Sequence, residues 1–209
     1  MAINKSDLAL DDRVQDEFQK AMNDYERTAA EGGELLVKEL IETGEVHEDF
    51  QKMQKFMLWI AARGGHKTMV KLLLGSEKVN VKAGYKPLWY NRLRYKSCRP
   101  TPLLEAARMG YIAVVELLLQ EKGKRLLQEK VDVNAADIRI YNYRTALQAA
   151  AGGGHLAVVH RLLQEKAEVN APPAISVGRT ALQAAAEGGY LAVVDRLLQE
   201  NADVNAAAG

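Results

Sequence analysis

The sequence has few of the residues that disulfide-rich, secreted and membrane-spanning proteins need. Cys98 is the one cysteine in 209 residues, so no disulfide can form within the chain, and we expect a reducing compartment, the cytoplasm or the nucleus. No stretch approaches the roughly 20 apolar residues that a membrane-spanning helix needs. Asp11 and Asp12 stand where a signal peptide would carry its apolar core, so we expect neither secretion nor a membrane partner.

Proline is also scarce, with five residues, whereas alanine is abundant, and this composition favours helices over strands. Hydrophobic residues make up 48% and charged residues 26%, which is ordinary for a globular chain and excludes wholesale disorder. The net charge of +1 hides a segregation of charge along the chain. Residues 1–50 carry 5 basic and 14 acidic side chains, whereas residues 51–100 carry 12 basic side chains and one acidic side chain. This pattern predicts a polarised surface.

The chain is built from internal repeats. Thr145–Ala171 and Thr180–Ala206 differ at five of 27 positions and are offset by 35 residues. Thr101–Leu119 is a third clear copy, and residues 61–74 and 29–41 are two degraded copies. Each clear copy has an alanine-rich stretch, a glycine break and a second stretch with apolar residues at helical spacing. The period therefore predicts a stack of short helix pairs that bury their apolar faces against one another.

The conserved pattern within the copies is a T-P/A-L opening, an A-A-x-x-G centre, an L-x-V-V-x-x-L-L stretch and a closing D-V-N. This pattern resembles ankyrin repeats over nearly the whole chain, and the last two copies resemble arrays common in filamentous fungi. The resemblance implies an all-α ankyrin-repeat solenoid of about five helix-turn-helix units, with an N-terminal helical cap and short finger hairpins. We expect a single domain over residues 1–209, with an enlarged finger at 83–98 and units at roughly 11–47, 48–82, 99–136, 143–172 and 178–207.

The enlarged finger is the most informative departure from the repeat. The distance from Asn80 to Thr101 is 21 residues, whereas the two later connectors take 11 and 10. The connector that contains this finger, residues 81–100, holds six basic residues, four aromatics and no acid, and the next finger, residues 138–144, is basic and aromatic as well. Exposed Tyr, Trp and Arg are the residues most enriched at binding hot spots. The resemblance implies that one face of the stack is concave. On this face and in the fingers, we predict the binding residues Trp89, Tyr90, Arg92, Arg94, Tyr95, Arg99, Arg108, Met109, Tyr141, Tyr143, Arg144 and Arg179.

The sequence contains no motif for catalysis or metal binding. His155 and His160 are five residues apart rather than the four of a helical zinc pair, and one cysteine cannot build a zinc finger. His66 and His155 stand in the slot that begins the second helix of a unit, where we expect a structural role. Neither a phosphate-binding glycine loop nor a nucleophile elbow is present. We therefore predict no catalytic residue, no metal ion and no cofactor.

These features favour a non-catalytic binding module that recognises an anionic protein partner through its concave face and fingers. We expect a hollow at Gly152 and Gly153 on that face. In one alternative, the fingers line a small-molecule or enzymatic pocket in which Tyr and Arg side chains work with Glu105 or Asp137. In another, the basic finger stacks nucleic-acid bases, although the acidic first 50 residues argue against this. In a third, the finger packs under itself and its cations pair with those acids.

The fifth unit predicts a second kind of contact. Terminal repeats usually carry a polar outer face, yet this unit keeps the apolar residues of the internal unit before it. We therefore expect an exposed apolar C-terminal face, with either self-association through it or a natural protein that continues beyond residue 209. The apolar residues concerned are Leu191, Val193, Val194, Leu197 and Leu198.

Overall fold

The computed structural model describes five stretches of the chain: residues 57–75, 101–120, 131–135, 145–173 and 178–207. The predicted N-terminal cap, the first unit, the enlarged finger and the tips of the two later fingers lie outside the described residues. Within these stretches all regular structure is helical. The eight helices are α1 (residues 57–64), α2 (Lys67–Gly75), α3 (Pro102–Met109), α4 (Ile112–Gln120), α5 (Ala146–Gly152), α6 (Leu156–Gln164), α7 (Ala181–Glu187) and α8 (Leu191–Gln199).

The helices form pairs that stack in two layers. The first helices α3, α5 and α7 contact one another in chain order. The second helices α2, α4, α6 and α8 do the same, and each of α4, α6 and α8 also packs on the first helix of its own pair. This two-layer stack confirms the predicted all-α solenoid. The four pairs fall inside the ranges given above for units two to five, and the bounds of the units stay a prediction.

A threonine fixes the start of α3, α5 and α7. The Oγ1 atoms of Thr101, Thr145 and Thr180 each accept a hydrogen bond from the backbone N–H three residues further on, at 3.2 Å. Gln148 and Gln183 complete a capping box, because their Oε1 atoms accept from the N–H groups of Thr145 and Thr180. These bonds satisfy N–H groups that a helix start would otherwise leave without partners. The T-P/A-L opening is therefore a helix start.

The two layers of the core are built from different apolar residues, small ones on the first helices and branched ones on the second helices. On α5, the alanines at 149–151 are buried, so neighbouring first helices can approach closely. On α6, Val158, Val159 and Leu162 are buried along one face, as the helical spacing predicts. Because these faces meet the next helix pair as well as their own, each unit is stabilised by its neighbours.

In three of the four described helix pairs, a ring rests on the turn of the pair before it. At Gly154 the backbone has a φ of 70°, a conformation that residues with a Cβ rarely adopt. A Cβ atom added there would lie 2.5 Å from the Tyr190 ring, so glycine is required both by the backbone and by the ring above it. We call such contacts ring–glycine rungs. The three rungs are Tyr111 on Gly65, His155 on Gly110, and Tyr190 on Gly154.

The asparagine of the closing D-V-N motif links successive units. Asn134 Oδ1 accepts a hydrogen bond from the Glu168 backbone N–H at 2.8 Å. Asn170 Oδ1 accepts one from the Asp203 N–H at the same distance, and Asn170 Nδ2 donates to the Asn201 carbonyl at 3.1 Å. The repeat motif is therefore a connection between units as well as a turn.

The apolar residues of the last unit divide between the core and the surface. Leu191 and Leu198 are 75% and 42% exposed, whereas Val193 and Leu197 are buried. Val194 lies between these limits and packs against the core. The expectation that all five residues form an exposed face is therefore wrong for Val193 and Leu197, because these two side chains belong to the continuous core that runs through the stack.

We expect Gly154→Ala to lower the free energy of unfolding more than Gly189→Ala. The two glycines share a positive φ, 70° and 69°, so both substitutions carry the same backbone cost of about 1–2 kcal/mol. Gly154→Ala additionally places its methyl group against the Tyr190 ring, whereas among the described residues no atom lies within 4 Å of a Cβ at Gly189. We expect a further loss of about 1 kcal/mol for Gly154→Ala, measured by urea denaturation of both variants. Equal losses would show that the ring contact contributes nothing.

Candidate functional site

Equivalent positions at the ends of the first helices form a row along one side of the stack. Alignment of the repeats places Arg63, Arg108, Gly152 and Glu187 at the same point of four successive units. The first helices α3, α5 and α7 stack in chain order, and the Tyr111 ring lies against Gly65 at the end of the pair that carries Arg63. These four residues therefore succeed one another along the array. We call them the first-helix row. It begins with two cations, continues with a glycine and ends with an acid.

Arg108 is held in place by a buried carboxylate. Its Nε and NH2 atoms donate to Glu105 Oε2 at 3.2 and 2.8 Å. Glu105 is buried, whereas the Arg108 side chain is 41% exposed. The pair lies one turn apart on α3, so the guanidinium is positioned from beneath and still reaches the surface. Its neighbour Met109 is 39% exposed and adds a flexible apolar group beside the cation.

Arg63 is held in place by an aromatic ring. Its guanidinium carbon lies 5.4 Å from the centroid of the Trp59 ring, within the range of a cation–π interaction. Trp59 is buried and Arg63 is exposed. The two exposed arginines of the row are therefore both fixed by a residue of their own helix, one by a carboxylate and one by a ring.

At the other end of the row the charges are paired. Arg179 Nε lies 2.7 Å from Glu187 Oε2, and both side chains are partly exposed. A pair this exposed contributes little to stability, but it connects the chain just before Thr180 to the end of α7. The predicted binding residue Arg179 is therefore engaged with an acid of its own unit.

The predicted hollow at Gly152 and Gly153 is partly filled. A Cβ atom at Gly153 would lie 2.5 Å from His155 Nε2, so the imidazole occupies the space that we expected to be open there. The ring folds back because His155 Nε2 donates to the Arg108 carbonyl oxygen at 3.0 Å. His155 therefore joins the turns of two units, which is the structural role that its place in the repeat predicts.

The first helices also hold the start of the segments that lead to the fingers. Gln148 Nε2 donates to the carbonyl oxygens of Ala171 and Pro172, each at 3.0 Å. In the following unit, Gln183 Nε2 makes the equivalent hydrogen bond to the Ala206 carbonyl oxygen, at 2.7 Å. The base of a connector is thus fixed to the same helix that carries the first-helix row.

Three of the twelve predicted binding residues, Arg108, Met109 and Arg179, lie in the described part of the chain. The structure places Arg108 and Met109 together at the end of α3 and Arg179 beside Glu187 two units away. The other nine lie outside the described residues: Trp89, Tyr90, Arg92, Arg94, Tyr95, Arg99, Tyr141, Tyr143 and Arg144.

Sequence reasoning missed Arg63 and its partner Trp59. Arg63 aligns with Arg108 in the repeat, and carrying the predicted site back by one unit would have found it. Trp59 carries no such signal, because its position is leucine or glutamine in the later units. Its contact with Arg63 depends on the four-residue spacing along α1.

The described stretches also bear on metal binding and membrane insertion. In these stretches no group of three or more His, Cys, Asp and Glu side chains is placed to hold a metal ion. No helix among the described residues has both the length and the apolar character to cross a membrane.

Comparison with known proteins identifies the repeat. A family model described as ankyrin repeats, in three copies, matches residues 27–126 and 121–208. No curated protein compared with this chain matches it. The family match spans all four described helix pairs as well as the segments between them. The chain therefore belongs to the ankyrin repeat family.

Proposed function

We propose that this chain is a non-catalytic binding module that recognises an anionic protein partner through its first-helix row and the neighbouring fingers. Ankyrin repeats generally mediate protein–protein interaction, and the question is which surface and which partner chemistry apply here. The observation that carries the proposal is the pair of exposed arginines, Arg63 and Arg108, fixed at equivalent positions of adjacent units.

Fixed arginines are well suited to bind carboxylates. Arginine presents a planar fork of N–H donors that matches a carboxylate in two-point geometry. Ordering a long side chain on binding costs about 0.5–1.5 kcal/mol, and the contacts to Trp59 and Glu105 reduce that cost because they already restrict both guanidinium groups. Met109 supplies apolar area beside them.

The enlarged finger extends this basic surface in our proposal. It lies in the sequence between α2, which ends at Gly75, and α3, which begins at Pro102, so it emerges between the two units that carry Arg63 and Arg108. The connector that contains it, residues 81–100, has six cations, four aromatics and no acid, which is the composition of a hot-spot loop for an anionic surface. The rival explanation is pairing of these cations with the acidic residues of 1–50.

Two further proposals concern the setting of the protein. The single cysteine fits an intracellular location, the cytoplasm or the nucleus. A second copy of this chain is the other partner that we propose, through the C-terminal face of unit five.

We expect Arg63→Gln and Arg108→Gln each to weaken binding of acidic peptides by about 1–3 kcal/mol. The probe is a set of peptides selected from a random display library on the intact chain, and affinity is measured by fluorescence anisotropy. Glutamine can still donate to Glu105, so Arg108→Gln removes the cation without leaving a buried carboxylate unpaired. Affinity should also fall as salt is raised, because exposed charges are screened.

Arg161→Gln is the matched control for these variants. Arg161 is also an arginine paired along its own helix, with Glu165 at 2.7 Å, but it lies on the second helix α6. We expect it to leave peptide binding unchanged. Replacing the Asp and Glu residues of a selected peptide with Asn and Gln should abolish its preference for the unmodified chain over the Arg63→Gln and Arg108→Gln variants. Undiminished binding by both row variants would contradict the proposed site.

We expect Trp89→Ala and Arg92→Ala to weaken the same peptides by about 1–3 kcal/mol while leaving the melting temperature nearly unchanged. Both residues belong to the enlarged finger, and a finger that binds a partner contributes little to the stability of the free protein. If both substitutions lower the melting temperature and the peptides still bind, the finger is structural and pairs within the chain.

A further inference from the structure

We propose that the first-helix row selects its partner by the spacing of two acidic residues, and that the partner is an extended segment with these acids three residues apart. This inference rests on the proposed function, because it takes Arg63 and Arg108 as the groups that bind carboxylates. It adds the conformation of the partner and assigns Trp59 and Glu105 as positioning residues. Both of these side chains are buried, so they act through the arginines.

A pair of cations can select a spacing only if neither cation can adjust to a different one. The Arg63 guanidinium carbon lies 5.4 Å from the centroid of the Trp59 ring. The Nε and NH2 atoms of Arg108 both donate to the same oxygen of Glu105, at 3.2 and 2.8 Å. Each contact restricts its side chain before a partner arrives. The two guanidinium groups are therefore two binding points at a set separation.

The stack brings that separation close to the distance between neighbouring first helices. Arg63 and Arg108 occupy the same point of adjacent units, and packed helices lie about 8–10 Å apart. Trp59 and Glu105 each lie about one turn before the arginine that they hold, so both guanidinium groups are directed toward the N-terminus of their own helix. Because the two groups are displaced in the same direction, a matching partner presents two carboxylates about 8–10 Å apart.

Polyproline II is the regular conformation that gives this separation with the fewest residues. It has three residues per turn and a rise of about 3.1 Å per residue, so side chains three residues apart lie on one face, about 9 Å from each other. In a β-strand, neighbouring side chains on one face are two residues and about 7 Å apart. In an α-helix, side chains three or four residues apart lie about 5–6 Å from each other, and those seven apart are separated by about 10 Å.

The surroundings of the row favour the extended segment over the helix. An amphipathic helix binds by laying an apolar face into an apolar groove. The residues that directly follow the row positions in the four units are Gly64, Met109, Gly153 and Gly188, so Met109 is the one apolar side chain among them. A segment whose two carboxylates are held by arginines does not need such a groove.

The row offers a cation at two positions, so the placement of two acids matters more than the total charge of the partner. Gly152 has no side chain to present at the third position. At the fourth position Glu187 is itself an acid, and its Oε2 lies 2.7 Å from Arg179 Nε. A third acid further along the segment therefore meets no cation of the row.

The test is a set of proline-rich peptides that contain two glutamates at positions i and i+2, i and i+3, or i and i+4. The three peptides have the same composition and net charge, and proline favours polyproline II in each. Affinity for the full chain is measured by NMR titration of its arginine Nε–H signals, which suits weak complexes. We expect the i, i+3 peptide to bind about tenfold more tightly than the other two. An alanine-rich helical peptide with glutamates seven residues apart should bind more weakly than the i, i+3 peptide.

Two variants release the arginines without removing them. Trp59→Leu introduces the residue type that unit three has at this position, Leu104, and Glu105→Ala introduces that of unit four, Ala149. Both counterparts are buried in their own units. We expect each variant still to bind the peptides but to prefer the i, i+3 spacing by less than about threefold. Trp59→Phe and Glu105→Gln are the matched controls and should keep the preference, because a ring and a hydrogen-bond acceptor remain.

The outcomes separate this inference from the proposed function. Equal binding of all three spacings, with a loss of affinity in Arg63→Gln and Arg108→Gln, would overturn the spacing and leave the anionic partner in place. A preference that survives in both Trp59→Leu and Glu105→Ala would show that these two residues do not position the arginines. A helical peptide that binds as tightly as the i, i+3 peptide would overturn the extended conformation. If neither arginine variant weakens any peptide, the proposed site itself is wrong.

Discussion

The contact between one helix pair and the next is the interaction on which the rest of this structure depends. The apolar face of a pair is buried only in part within that pair, and the core is one continuous cluster that runs from α1 to α8. Three kinds of link repeat along it: apolar side chains between second helices, a ring on the glycine of the preceding turn, and an asparagine bonded to the backbone of the following unit. A stack of this kind has no central core, so its stability is a sum over neighbours.

The same stacking aligns the candidate site. Because first helices succeed one another at a fixed repeat position, a single position in the repeat becomes a row on the surface. Arg63 and Arg108 occupy that row with different supports, a ring and a buried carboxylate. The stack therefore fixes the position of a side chain on the surface. The residue type in each unit then determines the charge or polarity at that position. His155 belongs to the scaffold, since its ring is bonded to the Arg108 carbonyl and lies over two glycines.

The sequence predicted the fold more fully than the site, for a physical reason. The two helical stretches of each copy, the glycine break between them and the period of 35 residues are local or repeated signals, and the structure has them where the sequence placed them. Side chains that fold back over a turn give no such signal. The His155 ring filling the space at Gly153, the Arg63–Trp59 contact and the burial of Val193 depend on where the neighbouring unit lies. The repeat alone brings Arg108 and Met109 to the end of their helix, and their role in binding stays a prediction.

The ring–glycine rung has a consequence for how such a chain can change in length. Tyr190 and His155 each lie against a glycine of the turn before them and a glycine of their own turn, and the residues on both sides of these contacts belong to the 35-residue period. A duplicated period inserted between units four and five therefore presents a ring to the old glycine and a glycine to the old ring. The inserted period therefore needs no new contact surface. Gain or loss of whole periods is consequently easier for this molecule to tolerate than insertion of a few residues within one.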